Sequence, residues 1–206
     1  MYLSIVVPVY NSEKTINRTL DSILAQDYED YEILIVNDGS TDGTLDIAKD
    51  YSCKDSRIKV YTVRNRGPAQ ARNMGIELAK GDYLLFIDGD DILTQNALNY
   101  LTDRLTERKT DLLIFGFTIA DENLEPLQDY KLPDNYYSDY KTLGNALPTL
   151  YQSNLLNQVW NKAYRLDWII NKNIRFKDYW YAEDRLFVFE AIRHAKNIQV
   201  AKCSCY

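Results

Sequence analysis

Over the first 95 or so residues, continuous apolar runs alternate with stretches where apolar residues return every three or four positions. Leu3-Ser4-Ile5-Val6-Val7-Pro8-Val9 reads as a buried strand. Ser12 is placed to cap a following helix that carries Ile16, Leu20, Ile23 and Leu24 on one face. A second strand is predicted over 32–36, then a helix capped by Thr41 or Asp42 and carrying Leu45, Ile47 and Ala48, then a third strand over 58–63. Pro68 suits the first turn of a helix, where its missing N–H costs nothing. That helix runs through Ala71, Ile76 and Leu78 and stops near Gly81, and a fourth strand follows over 83–87. Strands alternating with helices imply an α/β fold: a Rossmann-like, mostly parallel central sheet flanked by helices.

After Asp91 the rhythm changes. A helix is predicted over 95–107 and an apolar strand over 112–118. Residues 121–141 are polar, rich in tyrosine and interrupted by Pro126 and Pro133, and read as an excursion or lid. Helical stretches follow near 143–152 and 183–195, with 158–168 between them. Neither a repeat nor a Gly/Ser linker divides the chain, so a single domain over 1–206 with two functional halves is expected. The terminal Ala201-Lys202-Cys203-Ser204-Cys205-Tyr206 reads as the opening of a strand, so further chain is expected beyond Tyr206.

Composition narrows the chemistry. The net charge of −6 argues against nucleic acid as a partner, because a phosphate backbone needs a basic footprint. An anionic ligand must therefore be met by a local cation. Cys53, Cys203 and Cys205 form an odd set without zinc-type spacing, and His194 is the single histidine. A disulfide framework, a Cys/His zinc site and a serine–histidine triad are all disfavoured, and a reducing, cytoplasmic compartment is expected. The N-terminus enters a strand at once, so neither a signal peptide nor a membrane span is expected. The 17 tyrosines could face sugars, although packing explains them more simply.

The strongest chemical feature is Asp82-Tyr83-Leu84-Leu85-Phe86-Ile87-Asp88-Gly89-Asp90-Asp91, an apolar strand that ends in acids. Two carboxylates 4 Å apart repel by about 4 kcal/mol at an effective dielectric near 20. A hard divalent cation bound through oxygen would offset this, and caps for the next helix are the rival reading. Pro8-Val9-Tyr10-Asn11, Asn37-Asp38-Gly39-Ser40 and Asn65-Arg66-Gly67-Pro68 leave the ends of the preceding strands, where open parallel sheets bind ligands. Together the four loops offer an aromatic ring, a carboxylate for a base N–H, a cation for phosphate and a metal. Neither a P-loop nor the Gly-x-Gly-x-x-Gly dinucleotide fingerprint occurs.

On these motifs the chain resembles the inverting family 2 glycosyltransferases, with their GT-A nucleotide-diphosphosugar transferase fold. The resemblance covers most of the chain and also includes Ala71-Arg72-Asn73-Met74-Gly75, Trp160-Asn161-Lys162 and Glu183-Asp184. It implies a nucleotide-sugar-binding half over 1–95 and an acceptor and catalytic-base half over 96–206. Asp38 would accept the uracil N–H, with Pro8 and Tyr10 lining base and ribose and Arg66 making a nucleotide-side contact. Asp88 and Asp90 match Asp-x-Asp, the first facing ribose and the second a Mn²⁺ or Mg²⁺ ion on the diphosphate. Asp91 would be an auxiliary acid and Asp184 the general base, oriented by Glu183. Each role has a structural rival. Asp38 could close its own turn, and Glu183-Asp184 could serve the helix dipole. Ser40 to Asp42 are simplest as helix caps, Arg72 and Asn73 would fix their helix against the acidic loop, and Lys162 could form a structural ion pair.

The activity implied is transfer from a nucleotide-diphosphate sugar, a UDP-sugar, to a saccharide or lipid-linked acceptor in surface polysaccharide synthesis. Membrane contact at the inner face would fall to residues beyond Tyr206, and a dimer is compatible with this reading. A non-catalytic nucleotide-sugar-binding module is the alternative. A sugar-1-phosphate nucleotidyltransferase ranks lower, because Val9-Tyr10-Asn11-Ser12-Glu13 lacks the glycines of that class.

Overall fold

The structure, a computed structural model, describes residues 1–179 and 182–206. The first half follows the predicted alternation: β1 (Leu3–Val9), α1 (Ile16–Leu24), β2 (Tyr31–Asn37), α2 (Thr44–Lys54), β3 (Ile58–Thr62), α3 (Pro68–Leu78) and β4 (Tyr83–Phe86). The parallel order β3-β2-β1-β4 is flanked by helices, and β2 and β4 are buried along their whole length. Pro68 occupies the first turn of α3 as expected. The helix after β1 begins later than predicted: the Ser12 carbonyl accepts the N–H groups of Thr15 and Ile16, which makes a turn ahead of α1.

The second half holds α4 (Ala97–Glu107), β5 (Leu112–Ala120), β6 (Pro126–Tyr130), β7 (Asn135–Tyr137), α5 (Tyr140–Gln152), β8 (Lys162–Arg165), α6 (Leu166–Asn171), α7 (Glu183–His194) and β9 (Ile198–Ser204). Here the sequence reading needs correction. Residues 121–141, read as an excursion or lid, hold two strands that were not predicted: β6 pairs with β5 and β7 with β9. The stretch 158–168 contains β8, which lies antiparallel between β4 and β5 in the middle of the sheet. Residues 201–204 belong to a strand that begins earlier, at Ile198, and Cys203 is joined to Cys205 by a disulfide, against the sequence reading, which disfavoured disulfides.

Two packing features place the functional residues. Gly75 of α3 lies so close to β1 that an added Cβ would run into the Val6 side chain. Gly75→Ala should therefore destabilise the chain by about 1–3 kcal/mol through overpacking, read as a lower denaturation midpoint at constant slope. An unchanged midpoint would contradict this close approach. On the other side of β4, Phe86 meets Tyr164, Phe176 and Phe187 edge-on at 5.9, 5.4 and 6.0 Å between ring centroids. Phe187 belongs to α7, so this cluster fixes the start of α7 beside the end of β4.

Candidate active site

An open crevice of about 540 Å³ lies along the C-terminal ends of β1, β2 and β4. Pro8, Tyr10, Asp38, Arg72, Asp88 and Asp90 are among its lining residues. Tyr10 is half exposed, which leaves its ring open to a flat ligand. Asp38 is buried, and its two carboxylate oxygens accept the backbone N–H groups of Arg66 and Gly67 at 2.9 and 2.8 Å. It thus ties the second loop to the third while lining the crevice. Arg66 does not join the group: it lines two other depressions, neither of which includes Asp88 or Asp90. The first two loops are cross-linked as well, since Ser40 Oγ accepts the Asn11 N–H at 3.0 Å. The Asp42 carboxylate accepts the Thr44 N–H, but α2 is entered through Gly43 and not through Thr41 or Asp42, and no side chain caps it.

The acidic loop is balanced chiefly by an arginine. Arg72, buried on α3, donates through Nη2 to Asp88 Oδ1 at 2.9 Å and through Nη1 to Asp184 Oδ1 at 2.8 Å. Glu183 Oε1 lies 3.8 Å from the same Nη1, so Glu183 shares the arginine with Asp184. One guanidinium therefore joins the end of β4 to the start of α7. Burial works against the Arg72 charge, but Asp88 and Asp184 outweigh it and raise its pKa. Burial pushes the Asp184 carboxyl up to about 6, with Asp88 and Glu183 adding to the rise and Arg72 opposing it. Burial likewise raises Asp91 to about 6, against a hydrogen bond from the Tyr206 hydroxyl.

Several residues sit differently from expectation. Lys162 is fully buried and makes no ion pair among the described residues. Its Nζ donates to the carbonyls of Leu155 and Gln158 and to Asn161 Oδ1, each at 2.6 Å, and burial holds the amine well below its ordinary pKa. It closes the turn ahead of β8. Asn73 reaches the Phe176 backbone, accepting its N–H and donating to its carbonyl, and does not touch the acidic loop. Of the aromatic run 179–181, Tyr179 is exposed, while Trp180 and Tyr181 lie outside the described residues. Sequence reasoning missed Tyr206, whose hydroxyl lies within hydrogen-bonding reach of both Asp88 and Asp91. It also missed Arg18, which donates to the Asp90 carbonyl at 2.9 Å.

Among the described residues, no group of three or more His, Cys, Asp or Glu could hold an ion alone. Asp90 lines the crevice, and no described residue donates a hydrogen bond to its carboxylate. One or two carboxylates completed by phosphate oxygens and water are what Mg²⁺-like cations take. The hard oxygen donors fit Mn²⁺ or Mg²⁺ on those terms.

An open sheet with an acidic strand end, a nucleotide-sized crevice and a second acidic pair on a nearby helix is the arrangement of the GT-A fold. The chain superposes on S. aureus TarS 1–349 with a TM-score of 0.83 and 29% identity, over 100% of this chain and 59% of that one. It belongs to glycosyl transferase family 2, whose model matches residues 4–169. It is 33% identical over 199 residues to "Uncharacterized glycosyltransferase EpsJ" of Bacillus subtilis, over 96% of this chain and 58% of that protein. Identity is 36% over 208 residues with the poly(ribitol-phosphate) beta-glucosyltransferase of Bacillus spizizenii, over 98% of this chain and 31% of that protein. The chain therefore spans little more than half of EpsJ and of TarS 1–349, and less of the third.

Proposed function

We propose that the protein moves a monosaccharide from a UDP-sugar to a hydroxyl of a saccharide or lipid-linked acceptor, with inversion and with a divalent cation. The observation that carries this reading is the Arg72 bridge, which puts the acidic pair of α7 one guanidinium away from the acidic end of β4. TarS, 29% identical, has been crystallised with UDP-GlcNAc, which supports the choice of donor.

In this reading the 1–95 half holds the nucleotide and the 96–206 half meets the acceptor. Tyr10 and Pro8 pack against base and ribose, Asp38 and Asp88 accept hydrogen bonds from them, and Asp90 holds the cation with the diphosphate. When bound, the cation stabilises the negative charge that grows on the departing diphosphate. Asp184 accepts the proton of the acceptor hydroxyl as that oxygen attacks the anomeric carbon from the face opposite the leaving group. A single displacement inverts the anomeric centre and needs no protein nucleophile. Glu183 and Arg72 keep Asp184 in place, while Arg66 would have to swing toward the crevice to reach a phosphate.

No helix among the described residues is long and apolar enough to cross a membrane. We place the reaction in the cytoplasm, with any contact to the inner membrane face made by other parts of the full-length protein.

Asp90→Ala tests the cation role directly. Calorimetric titration should show UDP affinity gained on adding Mn²⁺ in the wild type and no such gain in the variant. Equal Mn²⁺-dependent affinities would sink that assignment. Hydrolysis of a UDP-sugar by the wild type would likewise remove the non-catalytic alternative.

A further inference from the structure

Tyr206 lies two residues past the end of β9 and reaches back to a loop 115 residues earlier in the chain. Its ring stacks on Trp160 at 4.3 Å between centroids and 11° between planes. Trp160 in turn meets Phe117 of β5 edge-on at 4.7 Å. The backbone is anchored as well: the Tyr206 carbonyl accepts the Thr118 N–H at 2.8 Å, and the Cys205 N–H donates to the Gly116 carbonyl at 3.1 Å. Held on both sides, the phenol has little freedom, and its buried hydroxyl does two things at once. It accepts the Asp88 backbone N–H at 3.0 Å and donates its one hydrogen to Asp91 Oδ2 at 2.9 Å.

Those two bonds flank Asp90. The loop is also pinned by Thr15 Oγ1, which donates to the Gly89 carbonyl at 2.8 Å, and by Arg18 on the Asp90 carbonyl. All of these partners grip the backbone or Asp91, and the Asp90 carboxylate is left facing the crevice. We infer that Tyr206 is a positioning residue for the acidic loop, setting Asp88 and Asp91 so that Asp90 is presented to the cation and diphosphate of a bound nucleotide. Without the hydroxyl, the Asp88 N–H loses its partner and the half-buried Asp91 loses its donor, and a polar group left unpaired away from water favours local rearrangement. Residues that orient a metal ligand from behind affect affinity by about 10- to 100-fold when removed.

This inference rests on the nucleotide reading above, and the test separates the two. Tyr206→Phe keeps the ring stack and removes only the hydroxyl. Titration with UDP in the presence of Mn²⁺ should show affinity about tenfold or more below wild type. Uridine, which lacks the diphosphate and meets only Asp88 of this loop, should lose clearly less affinity than UDP, and both proteins should unfold in one cooperative transition. A variant that binds UDP with Mn²⁺ as tightly as wild type overturns the inference and leaves the nucleotide reading standing. Equal losses for uridine and UDP would overturn it too, because the hydroxyl would then be supporting the fold in general. Failure of the wild type itself to bind UDP with Mn²⁺ would defeat the nucleotide reading instead. In the wild type alone, the Asp88 amide should be protected from hydrogen exchange. Exchange at the rate of an open loop would count against the inference without recourse to any variant.

Discussion

Asp184→Asn should lower transfer by about a thousandfold while leaving UDP affinity within about twofold, as loss of a general base without loss of a donor contact would. Asparagine keeps the shape and can still accept the Arg72 hydrogen bond, but it cannot take a proton from the attacking hydroxyl. The same carboxylate should set the pH profile. Its pKa is raised to about 6, and only the deprotonated form can accept the acceptor proton. The kcat/KM of the wild type should therefore climb as pH rises through about 6 and level off above it. In Asp184→Asn that limb should vanish from the residual rate. Undiminished turnover by the variant, or a wild-type rate that falls across the same interval, would rule Asp184 out as the base.

Arg72 carries the second large effect, and it acts on fold and chemistry together. Removing one partner from a buried, charge-paired network typically costs about 3–5 kcal/mol. Arg72→Met strands Asp88 and Asp184 together and leaves Glu183 beside them. Melting should drop by on the order of 10 °C at neutral pH. Protonation of the stranded acids removes the repulsion, so the deficit should shrink as pH falls through 6. Arg72→Lys separates structure from geometry: its ammonium is one point charge and cannot hold two carboxylates as the planar fork does. It should recover much of the stability and leave transfer at least tenfold below wild type. Full activity in Arg72→Lys would show that charge alone suffices.

The sequence made one edge of the molecule readable and the opposite wall much less so. Each of β1, β2 and β4 is a continuous apolar run followed by a polar loop, and parallel pairing brings such loops to one side by topology alone. Pro8, Tyr10, Asp38, Asp88 and Asp90 could be grouped on that basis before any coordinate was known. Arg72 was readable in one arm only. Its tie to the acidic loop follows from sequence proximity, whereas Asp184 lies 112 residues away on another helix.

Lys162 shows a different limit. Lysine is the last residue expected in a dry interior, and its three oxygen partners come from a turn with no sequence signature. That same lysine disguised β8, whose four residues Lys162-Ala163-Tyr164-Arg165 offer no clear alternation. β6 and β7 were hidden because their side chains are mostly exposed, so no apolar period marks them. Tyr206 left no trace at all, since nothing local in Cys205-Tyr206 refers to an acidic turn so far upstream.

The antiparallel seat of β8 between β4 and β5 governs how the chain must mature. A ribosome releases β1 to β4 first, and until residues 162–165 emerge the rim of Tyr83–Phe86 has nothing to pair with. An uncovered apolar rim of that kind recruits neighbouring chains. We therefore expect that residues 1–95 cut free would keep their loops and lose the strand that seals β4. Whatever guards nascent copies from clumping has to act until that late strand slots home.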